Sequence, residues 1–188
     1  MDYVFKIVPQ MLDGCFVSFQ VFLITIVLSI PLGILLSLGR VSGSQILQKI
    51  IGFYVWIMRG TPLMLQIFFV YFVLPSVGIR LPDFESALVA FVLNYAAYFC
   101  EIFRSGIQAI PKGQYEAAHT LGMNYLQTMR RIILPQVVKR ILPAITNEVI
   151  TLVKDTSLAF SISYVEMFTI AKQIAAAKTT MVPFVAAG

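Results

Sequence analysis

Between Gly14 and Gly39 the chain carries no charged residue, and this run decides most of what the chain can be. About 20 consecutive apolar residues suffice for a helix to cross a bilayer, and lipid-exposed backbone survives there only as helices or closed barrels. Two further uncharged runs follow, at 60–79 and 86–100, the latter extended by Ile102 and Phe103. The chain is 59% hydrophobic and 12% charged, against about 45–50% and about 25% in soluble domains. The expectation is an all-α integral membrane protein forming one transmembrane domain over residues 1–188.

The runs divide into spans. The first is expected over 14–39, with Pro31 and Gly33 permitting a bend. A polar link at 40–49 leads to an aromatic-rich segment, 50–58, too short to cross. Arg59-Gly60-Thr61-Pro62 interrupts the apolar pattern, and a second span is read over 62–77. A third covers 86–106 and a fourth 141–162, the latter holding Glu148, Lys154 and Asp155. Residues 164–180 read as an amphipathic external helix, and 182–188 as the first turns of a fifth span that stops short. The first apolar run is too long for a signal-peptide core.

Charge orients these spans. With the N-terminus outside, Arg40, Lys49, Arg59, Arg104, Lys112, Arg130, Arg131, Lys139 and Arg140 fall inside, nine basic residues against five (Lys6, Arg80, Lys154, Lys172, Lys178). Acidic residues show the opposite bias: Asp2, Asp13, Asp83, Glu85 and Glu166 fall outside. The positive-inside rule therefore makes the loop around Glu116 cytoplasmic. Cys15 and Cys100 lie in apolar runs and read as fillers, and one histidine, His119, builds no metal site. No metal and no cofactor is expected.

Residues 111–136 form the longest polar stretch between spans. Pro111 and Gly113 turn the chain, 114–121 is rich in helix formers, and Gly122 is a natural C-terminal breaker. A second amphipathic helix is expected over 125–134, with Arg130 and Arg131 together, ended near Pro135. A helix pair of this kind can seat in a groove on a soluble partner. The chain contains no phosphate-binding Gly-x-x-x-x-Gly-Lys-Ser/Thr motif, so any ATP energy has to arrive through another protein.

The spacing Glu116-Ala117-Ala118, then Gly122, then Ile132, Leu134 and Pro135 resembles the EAA loop of ABC importer permeases. Arg59-Gly60-Thr61-Pro62-Leu63, Glu101-Ile102-Phe103-Arg104-Ser105-Gly106, Ala109-Ile110-Pro111-Lys112-Gly113-Gln114 and Lys154-Asp155-Thr156-Ser157-Leu158 resemble the branch that takes up polar amino acids, among them histidine, glutamate, glutamine, arginine and opines. The likeness spans about residues 10–185. It implies the five-span type I importer permease architecture, here truncated at the start of the fifth span, in a bacterial inner membrane. It also implies an ABC ATPase docked at Glu116, Ala117, Ala118, Gly122, Leu134 and Pro135, a like permease subunit in a homo- or heterodimer, and an extracytoplasmic amino-acid-binding protein. Membrane lipid is the surrounding medium, and nucleic acid is not a partner.

A carrier of zwitterions needs an anion site and a cation site. Thr61 as N-cap with Pro62 as first helical residue would aim a helix N-terminus at a carboxylate; the alternative is an interfacial turn with Arg59 on lipid headgroups. Asp155 would hold an ammonium or a cationic side chain, with Thr156 and Ser157 as hydroxyl partners; the alternative is a helix cap or an interhelical ion pair. Asn147 and Glu148 in the fourth span, and Gln66 one turn below Thr61, either line the path or hydrogen-bond between helices. Glu101 and Arg104, at i and i+3, read as a structural ion pair. An intramembrane enzyme is disfavoured because His119 has no nucleophile near it in the sequence. A permease for another small solute, a channel and a membrane scaffold remain as alternatives.

Overall fold

A computed structural model of the chain describes residues 2–162 and 167–178. The expected opening turns of a fifth span, 182–188, and Glu166 lie outside them. Eight α-helices run in order: α1 (Asp2–Val41), α2 (Gln45–Gly60), α3 (Leu63–Phe68), α4 (Asp83–Gln108), α5 (Lys112–Thr120), α6 (Tyr125–Thr128), α7 (Leu134–Asp155) and α8 (Met167–Lys178). Two π turns, Phe69–Val73 and Met129–Ile133, and two 3-10 turns, Leu74–Val77 and Thr156–Ile162, complete the helical elements among the described residues.

The scaffold is the packing of α1 on α4. Every fourth residue of α1 from Val21, through Thr25, Ser29 and Gly33 to Ser37, is buried. All are small or β-branched, and such a stripe lets two membrane helices approach closely where no hydrophobic gain separates them from lipid. At Gly33 an added Cβ would lie 2.6 Å from Phe99 Cβ and 3.1 Å from the Ala96 carbonyl oxygen, so only glycine fits without a shift. Proline 31 sits inside α1 without interrupting it. Ala171 and Ala175 of α8 are also buried, and α8 packs on α1.

Residues 14–41 of α1 and all of α4 are long and apolar enough to cross a bilayer. The second expected span is not independent. The link after α1 is only Ser42–Ser44 long, because Ser44 caps α2 by accepting from the Leu47 N–H. Helix α2 and the stretch from Leu63 to Val77 then form one apolar unit bent by 107°. The 15 residues after the bend reach about 20 Å, short of the ~30 Å hydrocarbon core. The segment read as too short to cross and the span read after it are therefore two arms of one bent element. Arg59 lies at this bend, with its guanidinium 5.1 Å from the ring centroid of Tyr98, in the middle of α4.

The fourth span also differs in detail. Its helix, α7, begins at Leu134, seven residues earlier than expected, and passes at Thr156 into a 3-10 turn. Nor does Pro135 end a helix. The π turn at Met129–Ile133 comes first, and Leu134 N–H bonds to the carbonyl of Met129, five residues back. That wider turn accommodates a residue that lacks an N–H and would crowd the carbonyl four residues back. The same device precedes Pro75, where Leu74 N–H bonds to Phe69. The core joins Val21, Leu63, Ile67, Phe91, Tyr95, Phe99 and Leu152.

Candidate functional site

Helices α4 and α7 enclose a cavity of about 320 Å³, closed on a third side by Leu63, the first residue of α3. From α7 come Glu148, Thr151 and Asp155, with Leu158 from the following 3-10 turn; from α4 come Asn94, Tyr95 and Tyr98. The α7 residues are spaced by three and four, so they share one helix face. Their carboxylates stand two turns apart, about 10 Å along the axis. Among the described residues no lysine or arginine lines the cavity.

Tyr95 ties the two walls together. Its ring is 2% exposed and sits between Phe91 and Phe99, while its hydroxyl donates to Asp155 Oδ2 at 2.7 Å. Core packing fixes the ring, and the ring fixes the carboxylate. The cavity thus offers two carboxylates, tyrosine rings, an amide and a threonine hydroxyl. That set suits a cation with several hydrogen-bond donors, and the ring faces add cation–π attraction.

The bend between α2 and α3 forms the neighbouring wall. Thr61 is the C-cap of α2, and its hydroxyl donates back to the Ile57 carbonyl at 2.8 Å. The N-cap of α3 is Pro62, with no side-chain cap, so the expected roles shift by one residue: threonine hydroxyls compete readily for their own helix's carbonyls. Gln66 acts as the staple. Its Nε2 donates to the Met58 carbonyl (2.9 Å) and to Thr61 Oγ1 (2.8 Å), and its Oε1 accepts from Asn94 Nδ2 (3.0 Å). Asn94 donates to the same Met58 carbonyl at 2.9 Å. Gln66 therefore holds the bend and does not line the acidic cavity.

Three other expected residues lie elsewhere. The Thr156 hydroxyl donates to Val153 O (2.8 Å) and that of Ser157 to Lys154 O (2.7 Å), so neither partners Asp155. Both sit where α7 tightens into a 3-10 turn and their own carbonyls come within reach. Asn147 is exposed, one residue off the face that carries Glu148. Sequence reasoning missed Tyr95, Tyr98, Asn94 and Thr151. Their signal is faint, but Asn94-Tyr95 is the only run of neighbouring polar-tipped residues inside the uncharged stretch 86–100.

On the far side of Tyr98 lies a second cavity of about 400 Å³, lined by Arg40, Arg59 and Glu101 among others. Glu101 accepts from Arg104 at 2.5 Å within α4, as expected, and also from Arg40 of α1 at 3.5 Å. The intrahelical pair is thus part of a network that joins two helices. Among the described residues no group of three His, Cys, Asp or Glu side chains could hold a metal ion.

The expected coupling region forms a helical hairpin. Helix α5 ends on Gly122, whose φ of +73° only glycine adopts cheaply. Gly122 N–H bonds to His119 O and Met123 N–H to Ala118 O, the Schellman arrangement. Nothing lies within 4 Å of a Cβ built there, so backbone conformation, not close packing within the subunit, calls for this glycine. Asn124 and Gln127 then form a reciprocal capping box at the start of α6. Ala118 is fully buried, whereas Glu116 and Ala117 face outward. Leu121, Tyr125 and Leu126 are 74–77% exposed and Leu134 is 43% exposed. The hairpin presents an apolar tip flanked by Glu116 and two arginines.

Comparison with known proteins matches this arrangement. Residues 29–188 fit the family described as binding-protein-dependent transport system inner membrane component. The arginine transport system permease protein ArtQ of Bacillus subtilis is 42% identical over 171 residues, which is 90% of this chain and 78% of the relative. The L-cystine transport system permease protein TcyB of the same organism is 37% identical over 168 residues, 89% of this chain and 72% of the relative. Among solved structures, an amino acid ABC transporter with histidines superposes with a TM-score of 0.87 at 30% identity, covering 96% of this chain and 85% of that one. An inward-facing methionine transporter, MetNI, shares the fold with a TM-score of 0.66 at 21% identity, covering 98% and 89%. With two membrane-crossing helices, a bent third element, an exposed hairpin and these matches, the chain belongs to the inner-membrane permease components of binding-protein-dependent ABC importers.

Proposed function

We propose that this chain forms the substrate pathway of an ATP-driven importer of polar amino acids, and that the solute carries a cationic side chain. The observation that carries this reading is the placing of Glu148 and Asp155 in one cavity with Tyr95 and Tyr98 and, among the described residues, no basic one. Two carboxylates two turns apart match a molecule with a positive group at one end and an α-ammonium further along. The α-carboxylate then turns toward the bend, where Arg59 and the first turn of α3 after Thr61-Pro62 offer positive charge and backbone N–H groups.

The energy enters at the hairpin. Glu116, Ala117, Leu121, Tyr125 and Leu126 contact an ABC ATPase, while Ala118, Gly122, Leu134 and Pro135 hold the hairpin in shape. Because α7 follows the hairpin without a break in helicity, a push on the tip moves Glu148 and Asp155. The chain pairs with a like subunit and receives solute from an extracytoplasmic binding protein. Its hairpin faces the cytoplasm, as the charge bias supports. The chain itself carries out no chemistry, and ATP is hydrolysed by the partner.

Uptake of labelled arginine, histidine, glutamine and glutamate by proteoliposomes holding the assembled importer tests the reading. The expected result is ATP-dependent uptake of the basic solutes, with Glu148→Gln and Asp155→Asn each reducing it tenfold or more, about 1.4 kcal/mol. Uptake of glutamine alone, insensitive to both variants, would assign a neutral solute and remove the acidic cavity from the site. A channel or scaffold would show flux, or none, independent of ATP.

A further inference from the structure

At the end of the bundle where α1 and α4 finish, a third cavity of about 350 Å³ is lined by Arg40, Gln48, Gln108, Lys112 and Tyr115, with Val41, Ile107 and Ile110 as its apolar wall. Its charge is positive and is not cancelled locally. The nearby acid, Glu101, accepts three hydrogen bonds from Arg104 and a longer one from Arg40, so one carboxylate is shared by two guanidiniums and a net positive charge remains. Arg40 gives Nη1 to the Gln48 carbonyl and Nη2 to Glu101, while its Nε has no partner. The Lys112 ammonium makes no ion pair among the described residues. Arg104 holds Gln108 through its Oε1, which leaves the amide N–H groups of Gln108 as donors. Burial raises the Tyr115 phenol above its usual range, helped by Tyr125, so its hydroxyl stays protonated.

We propose that this cavity binds the phosphate of an anionic phospholipid headgroup, held by Arg40 and Lys112 with Gln108 and Tyr115 as neutral donors. Three features favour a lipid over a free ion. The cavity sits at the level where both crossing helices end, which is the headgroup layer. One wall, Val41, Ile107 and Ile110, is apolar and suits the start of an acyl chain. The two cations come from the end of α1 and the start of α5, so an occupant bridges the membrane bundle to the coupling hairpin. Membrane-surface basic residues attract anionic headgroups by an amount equal to about a fivefold change in binding each. The inference does not depend on which solute is carried.

The test uses the assembled importer in nanodiscs of phosphatidylcholine with a minor share of phosphatidylglycerol, and counts retained lipids by native mass spectrometry. Wild type is expected to retain phosphatidylglycerol preferentially, and Lys112→Gln to cut that preference about fivefold. Tyr115→Phe should weaken it less, and neither substitution touches the Glu101 network. Millimolar inorganic phosphate should fail to displace the lipid. Equal retention of the two lipids, or a preference unchanged in Lys112→Gln, would overturn the proposal. Displacement by phosphate alone would overturn the lipid as the source and leave a soluble phosphate site.

Discussion

The hydroxyl of Tyr95 donates to Asp155 Oδ2 across 2.7 Å, linking residues 60 positions apart on two different helices. The ring is packed in the core and the carboxylate borders a cavity, so this bond transmits order from the scaffold to the site.

Tyr95→Phe keeps the packing and removes that donor. A hydrogen bond to a charged group contributes about 1.5–3 kcal/mol. The variant is expected to lose up to about that much stability in a thermal melt in detergent. Because Asp155 becomes freer to reorient, its KM for a cationic solute should change more than its kcat.

At Gly33 the distance of 2.6 Å from a built Cβ to Phe99 Cβ leaves no room for a methyl group. Gly33→Ala should destabilise the α1–α4 pair by about 1–3 kcal/mol, the usual range for overpacking. Gly33→Leu should abolish the monodisperse peak in size-exclusion chromatography. A normal melt for Gly33→Ala would mean that α1 and α4 can separate at little cost.

Gly122 is held at a φ of +73° in open space. Gly122→Ala should therefore cost about 1–2 kcal/mol through backbone strain alone. Leu126→Asp, at an exposed tip residue, should leave the melt unchanged and weaken ATPase binding at least tenfold in a pull-down titration. Equal loss of stability in both variants would show that the tip is structural.

Gln66 and Asn94 share the Met58 carbonyl and bond to each other. Single replacements by leucine leave the partner unpaired, and the double replacement removes both. A double-mutant cycle should give a coupling of about 0.6–1.7 kcal/mol, the range for interhelical bonds in membranes. Additive effects would mean that water replaces either amide at the bend.

What the sequence disclosed follows from how strong each local signal is. An uncharged run from Gly14 to Gly39 has one physical solution in lipid, and α1 and α4 were legible for that reason. Gly122 was legible because an αL cap needs glycine. The bend at Gly60 and Thr61 was visible as a break, but not that α2 joins it to one bent element, because sequence gives no angle. Thr156 and Ser157 looked like partners of Asp155 since they adjoin it, yet neighbours in a helix point to different faces. Its actual partner, Tyr95, lies in an apolar run where tyrosine reads as one more large ring. Pro135 read as a stop because proline breaks an α-helix, and the π turn before it leaves no mark in composition.

That π turn has a geometric consequence for the rod formed by residues 125–155. A π turn is an α-helix with one residue too many, so the helix beyond it is rotated by about 100° relative to an unbroken one. The tip residues Tyr125 and Leu126 and the cavity residues Glu148, Thr151 and Asp155 are therefore out of phase by one residue. Closing the turn into an α turn at constant length would swing all three cavity side chains together by that angle, whereas deleting a single residue within 129–133 would restore a continuous α-helical count and keep them facing α4. The turn's wider hydrogen bond, not the number of residues, thus sets the bearing of the acidic face.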